Sequence, residues 1–257
     1  MSEYMMKVKE LSFSYGKKKI LNNISLEIPE GKITTILGAN GCGKSTLFSL
    51  MTKNLYPDRG KIFFQKKNIG GMPLNEFAKK AAIVHQYNTA ADDMTVQELV
   101  ALGRTPHRKA FHDSREEDEK WIHQALEVTH LQELKDREIG KLSGGQRQRV
   151  WIAMAIAQNT KMLFLDEPTT YLDIRYQLEI LRLVKTLNQQ YGMTIVMVLH
   201  EINQAIHYSD YIIGLQGGKV AVCGEPDEVI TPETLELLYG VKLDVIQEKN
   251  HKYVLTV

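Results

Sequence analysis

From Lys32 to Thr46 the chain reads "KITTILGANGCGKST": an apolar strand, a loop with glycines at 38, 41 and 43, and then the helical-looking "STLFSLMTKN". No other stretch restricts the fold as much. The glycines let backbone amides turn inward around one point, and a helix that starts there aims its own free amides at the same point. The spacing satisfies G-x-x-x-x-G-K-[ST], the loop that wraps a polyphosphate. In this reading Gly38, Asn40, Gly41, Cys42, Gly43 and Thr46 contribute the cradle. Lys44 supplies charge for the β- and γ-phosphates, and Ser45 supplies a hydroxyl for Mg²⁺. Cys42 fills space and has no histidine partner that would make it a nucleophile. A glycine-rich turn without a ligand is the alternative, and the strand before and helix after argue against it.

Short apolar runs at Lys32 to Leu37, Lys61 to Phe64, Ala81 to Val84, Lys161 to Leu165 and Thr194 to Leu199 read as buried strands. Helical patterns separate most of them, which predicts an α/β fold with a mostly parallel core sheet. The start differs. "MKVKELSFSYG" alternates and "ILNNISLEIPEG" follows closely, so an antiparallel β layer is expected beside that core.

Thr95 to Asn159 reads as helical almost throughout, an inserted α-helical subdomain. "TVQE" at Thr95 and "SREE" at Ser114 both fit a capping box. "LQGGKV" at Leu215 predicts a hairpin with a Gly-Gly turn, "TPET" at Thr231 a capped helix, and the last residues a closing hairpin. The expected division is a nucleotide-binding core over 1–86 and 160–240, a helical subdomain over 87–159, and a closing hairpin over 241–257.

"KMLFLDEPTT" is a strand that ends in two carboxylates. At the carboxyl end of a core strand, where open α/β sheets place ligands, Asp166 can hold Mg²⁺ directly or through water. Glu167, its neighbour, can polarise a water aimed at the γ-phosphate. Two more apolar strands end in polar residues, "AAIVHQ" in Gln86 and "TIVMVLH" in His200. A metal or water contact for Gln86 and a γ-phosphate contact for His200 follow if those ends share one edge.

"LSGGQ" at Leu142 raises a different question, because the chain already has one phosphate loop. Ser143 with Gln146 fits a capped helix start, so Ser143, Gly144 and Gly145 offer amides and a helix dipole to an anion. An ordinary capped helix remains the alternative from these residues alone.

Composition excludes several classes. The 257 residues are ample for one sizeable core, and 32 Lys+Arg against 31 Asp+Glu leave a net charge of +1, which argues against broad nucleic-acid binding. Cys42 and Cys223 cannot build a disulfide framework, so a reducing cytosol is the expected setting. No run approaches the roughly 20 apolar residues that span a bilayer. A membrane role would have to come through a partner.

Taken together, the set resembles the ATP-binding-cassette (ABC) ATPases, in motif order and over nearly the whole chain. "GANGCGKST" looks like their Walker A motif, "MLFLDEP" like Walker B, "LSGGQ" like the signature, Gln86 like the Q-loop, "YLD" at Tyr171 to Asp173 like the D-loop, and His200 like the switch histidine. Tyr15 in "SFSYG" matches the aromatic that stacks on adenine. Glu201, where many relatives have Asp, and the "TTY" before Leu172 are small departures. The resemblance implies ATP and Mg²⁺ as cofactors, and a head-to-tail homodimer with two ATP at the interface. Each signature would then meet the γ-phosphate held by the other subunit.

"TVQELVALGRTPHR", "QRQRVWIAMAIAQ", "DEPTTYLDIRYQLEIL" and "LHEINQAIHYSDYIIGLQGGKV" are similar to the ATPase subunits of iron-siderophore importers, whose relatives carry haem, cobalamin or metal ions. That implies integral membrane permease subunits as partners, an extracellular or periplasmic substrate-binding protein indirectly, no nucleic acid, and a place on the cytoplasmic face of the cell membrane. A cytosolic non-transport ABC ATPase, such as one for iron-sulfur assembly, is the alternative.

Overall fold

Alternation at the N-terminus and continuous apolar runs further on produce two kinds of sheet. The computed structural model describes residues 4–108, 115–249 and 251–255. The chain divides into two compact units, Met1–Met72 with Thr194–Val257, and Pro73–Met193. The first unit opens with β1 (Tyr4–Tyr15), β2 (Lys18–Pro29), β3 (Ile33–Leu37), α1 (Lys44–Met51), β4 (Arg59–Phe64) and β5 (Lys67–Asn68). The second contains α2 (Leu74–Ala78), β6 (Ala81–Val84), α3 (Val96–Leu102), α4 (Arg115–Val128), α5 (Gly144–Ala157), β7 (Met162–Asp166) and α6 (Ile174–Tyr191). The chain then returns to the first unit with β8 (Thr194–Val198), α7 (Ile202–Tyr208), β9 (Tyr211–Gln216), β10 (Lys219–Gly224), α8 (Pro226–Val229), α9 (Pro232–Tyr239), β11 (Asp244–Glu248) and β12 (His251–Leu255).

In the first unit, β3 lies between β8 and β9 and is parallel to both. All five residues of β3 and all five of β8 are buried. A strand covered on both faces needs an unbroken apolar run, and these two have one apart from Thr34, Thr35 and Thr194. β10 returns antiparallel to β9 through Gly217 (φ 53°) and Gly218 (φ 73°), the paired left-handed turn that "GG" predicts. The second sheet has the order β2-β1-β4-β5 and is antiparallel. The expectation for Lys61 to Phe64 is corrected here. The run is a strand, but β4 pairs antiparallel with β1, Val8 opposite Ile62, and belongs to the N-terminal layer. An apolar run identifies a strand without naming its partner.

The closing hairpin β11–β12 is held to this unit by side chains acting as backbone. Asn203 donates from Nδ2 to the Val254 carbonyl at 3.0 Å and accepts from the Val254 amide at 2.8 Å. Lys252 Nζ donates to the Asp227 and Ile230 carbonyls.

In the second unit, β6 and β7 are parallel, with Val84 opposite Leu165. α5 is its central helix and packs against α3 and α4. "VWIAMAIA" is apolar on nearly every side, as a helix inside a core must be, and seven of those eight residues are buried. Arg104 is 1% exposed, its Nε donating to Asp118 Oδ1 at 2.8 Å and its Nη1 to the Ala157 carbonyl at 2.9 Å. One guanidinium therefore ties the end of α3 to α4 and α5. Between Thr95 and Asn159 the described residues form three α-helices joined by turns and short 3₁₀ segments, so the segment is less continuously helical than expected. The Thr95–Glu98 capping box is present. Ser114 lies outside the described residues, so the second box is not described.

Candidate active site

In the first unit the phosphate loop sits at the carboxyl end of β3. Gly38 has φ 144°, and a Cβ there would stand 2.3 Å from the Leu215 carbonyl oxygen and 2.8 Å from Cys42 Sγ. Gly43 has φ 111°, and a Cβ there would meet Leu21 Cδ2 at 2.6 Å. Only glycine follows this path. Gly43 is also the cap residue of α1, with no side-chain bond to the helix's first amides, which leaves them for a ligand. Lys44 is 5% exposed and folds back over the loop, Nζ donating to the carbonyls of Gly38 at 2.7 Å and Ala39 at 3.1 Å. Asn40, Gly41 and Ser45 are exposed, and Thr46 is half-buried. Cys42 is buried and its carbonyl accepts from the Gly218 amide at 3.1 Å, a packing role as expected. A glycine-only path, bare helix amides and an adjacent lysine fit a polyphosphate.

Tyr15 ends β1, 54% exposed, its ring edge-on to Phe13 with centroids 4.9 Å apart. An exposed aromatic braced from one side keeps a face for stacking. His200 follows β8, the parallel neighbour of β3, and is exposed at the same edge as the phosphate loop. Beneath the loop, burial pushes the Tyr239 hydroxyl up to about 12, so it stays neutral.

In the second unit the parallel pairing of β6 and β7 brings Gln86 to the same edge as Asp166 and Glu167. Gln86 Nε2 donates to Glu167 Oε2 at 2.7 Å, and Thr170 Oγ1 donates to the same oxygen at 3.2 Å. Glu167 itself has φ 49°, a left-handed conformation costing roughly 1–2 kcal/mol for a residue with a Cβ. Tyr87, next to Gln86, meets Tyr171 hydroxyl to hydroxyl at 3.1 Å, and this bond raises the Tyr87 hydroxyl above its ordinary range. Sequence reading missed Thr170 and the Tyr87–Tyr171 pair.

The "LSGGQ" helix end is built as predicted. Ser143 Oγ accepts from the Gln146 amide at 3.3 Å, and the Ser143 amide donates to Gln146 Oε1 at 3.0 Å. The two glycines differ. Gly145 is buried, and a Cβ there would be 2.4 Å from Tyr176 Cδ1, so it is a glycine for the sake of α6. Gly144 is exposed and a Cβ there would meet nothing closer than Leu172 Cδ2 at 3.8 Å. Nothing among the described residues requires that glycine. Among the described residues no cluster of His, Cys, Asp or Glu forms a separate metal site.

A family model described as "ABC transporter" matches residues 21–170. The chain belongs to the ABC transporter family, as its ATP-binding, ATP-hydrolysing subunit. It is 41% identical over 239 residues to the ferric enterobactin transport ATP-binding protein FepC of Escherichia coli K12, covering 93% of this chain and 88% of that one. It is 43% identical over 243 residues to the iron(3+)-hydroxamate import ATP-binding protein FhuC of Bacillus subtilis 168, covering 95% and 90%. Among solved structures, a metal-chelate type ABC transporter in an inward-facing conformation matches with a TM-score of 0.83 at 30% identity, covering 99% of this chain and 96% of that one. A dimeric post-hydrolysis state of the cassette MJ0796 bound to ADP and Pi matches with a TM-score of 0.74 at 31% identity, covering 86% and 99%.

Proposed function

We propose that this chain energises the import of ferric siderophores, docked on integral membrane permease subunits at the cytoplasmic face of the membrane. A substrate-binding protein outside the membrane delivers the chelate. The observation that carries the substrate class is the likeness, at 41% and 43% identity over more than nine-tenths of this chain, to two ATP-binding proteins of ferric-chelate import. No described helix is long and apolar enough to cross a membrane, in keeping with attachment through a partner. A second reading, haem import, is favoured by 35% identity over 254 residues to the hemin import ATP-binding protein HmuV of Escherichia coli O157:H7.

In this reading the core, 1–86 and 160–240, binds the nucleotide, and 87–159 forms the helical subdomain. Tyr15 stacks on adenine. Gly38, Asn40, Gly41, Cys42, Gly43 and Thr46 surround the phosphates, Lys44 turns from its loop carbonyls to the β- and γ-phosphates, and His200 contacts the γ-phosphate. Ser45, Asp166 and Gln86 would hold Mg²⁺, which when bound neutralises charge on the phosphates. Glu167 accepts a proton from the attacking water, and its bonds from Gln86 and Thr170 hold it in place. Ser143, Gly144, Gly145 and Gln146 meet the γ-phosphate bound by a second copy in a head-to-tail homodimer. The exposed, uncrowded Gly144 supports that reading. Binding of two ATP then closes the dimer because the contacts exist only in the closed state.

Uptake of labelled ferric chelates and hemin by a strain lacking this chain tests the assignment. Loss of ferric siderophore uptake, restored by the intact chain and not by E167Q, is the expected result. Loss of hemin uptake alone would favour the second reading, and full uptake of all of them would remove both.

A further inference from the structure

The start of α5, the first half of α6 and the residues after α4 border an open cavity of about 520 Å³ in the second unit, lined by His130, Gln146, Arg149, Arg175, Glu179 and Arg182 among others. Its charges do not balance. Glu179 is the one carboxylate on its wall, and Arg175 already holds it, Nε to Oε1 at 3.0 Å. Arg149 Nε is buried without a hydrogen-bond partner, and Arg182 makes no ion pair among the described residues. A buried guanidinium nitrogen without an acceptor costs about 1–3 kcal/mol or more, so such groups usually serve a bound water or ion.

We propose that this cavity is a binding site for a compact oxyanion carrying at least two negative charges, a polyphosphate or polycarboxylate, held between Arg149 and Arg182. The two guanidinium groups on this wall beyond the Arg175–Glu179 pair match such a ligand in charge. The volume falls within the range of roughly 300–1,000 Å³ typical of small-molecule sites and exceeds what a monovalent ion would fill. Gln146 belongs both to the cavity wall and to the Ser143 capping box, so occupancy touches the helix end assigned above to the second copy's nucleotide. That last link rests on the proposed function. Anion binding itself does not.

Equilibrium dialysis of labelled pyrophosphate against the full chain tests this. The unmodified chain is expected to bind two equivalents, one at the phosphate loop and one in the cavity. K44A should lose the first. R182E, a charge reversal at an exposed position, should weaken the second at least tenfold while keeping the first, which also shows that the variant is folded. R149K should bind measurably where R149Q does not. Repeating the series with citrate separates the two sources, the tighter ligand at the R182E-sensitive site being the favoured class. Full stoichiometry in both R182E and R149Q, or no R182E-sensitive binding of either probe, would overturn the inference. Two equivalents retained in K44A would count against the phosphate-loop reading and not against the cavity.

Discussion

The amide of Gln86 donates to the carboxylate of Glu167 at 2.7 Å, joining the second residue after β6 to the first after β7. The group proposed to activate water is therefore held by a group proposed to reach the metal. E167Q keeps the shape and removes the proton acceptor. ATP binding should stay within about twofold while turnover falls by roughly 10²–10⁴, the usual contribution of a general base. Turnover equal to the parent's would remove Glu167 from that role.

Q86E puts a second carboxylate against Glu167 where the amide was. Two carboxylates at that distance cannot both ionise at ordinary pH, so one pKa rises. The rate of Q86E is expected to be depressed at neutral pH and to recover as pH increases, shifting the acid limb of the pH–rate profile upward. A profile superimposable on the parent's would show that the hydrogen bond has no bearing on the reaction.

The adjacent glycines of the signature give opposite expectations for the same change. G145A drives a methyl into the Tyr176 ring and should destabilise the second unit by about 1–3 kcal/mol in denaturant unfolding. G144A finds room within the chain and should be neutral or stabilising by up to about 1 kcal/mol. Yet G144A should weaken ATP-driven dimerisation in gel filtration of an E167Q background. Normal dimerisation there would refute the shared-site assignment.

Arg104 carries a buried charge whose partners lie on α4 and α5. Removing it takes the buried guanidinium away from Asp118 and from the Ala157 carbonyl. R104A is expected to cost about 3–5 kcal/mol by chemical denaturation. A change within about 0.5 kcal/mol would mean that the ion pair is dispensable.

Hydrogen bonds from the Thr95 amide and hydroxyl hold the Glu98 carboxyl below its ordinary value of 4.5. A carboxyl depressed in the folded state contributes stability above its unfolded value, and that contribution is lost as pH falls through the folded value. E98Q should therefore flatten the dependence of stability on pH between about 5 and 3, lying below the parent at neutral pH and converging with it at the acid end. Thermal melts across that range give the comparison.

The elements that were legible beforehand are those whose signal is local. β3, β6, β7 and β8 follow from unbroken apolar runs, the β9–β10 turn from two glycines, and the Ser143 box from a serine and glutamine three apart. Pairing is not local, which is why Lys61 to Phe64 could be recognised as a strand and still be assigned to the wrong sheet. The same holds in the site. Gln86 and Glu167 were each found by their place at a strand end, but the bond between them spans 81 positions and leaves no mark on either neighbourhood. Thr170 and Tyr87 are known only from where the chain puts them.

The helix after the phosphate loop starts at a left-handed glycine that offers its first amides no side-chain acceptor. Most helices complete that end with a residue of their own. Here the missing acceptor makes the melting temperature a gauge of ligand concentration: at a hundred times the dissociation constant, a bound anion adds about 2.7 kcal/mol. The fold carries its own thermometer for the nucleotide, readable without any turnover.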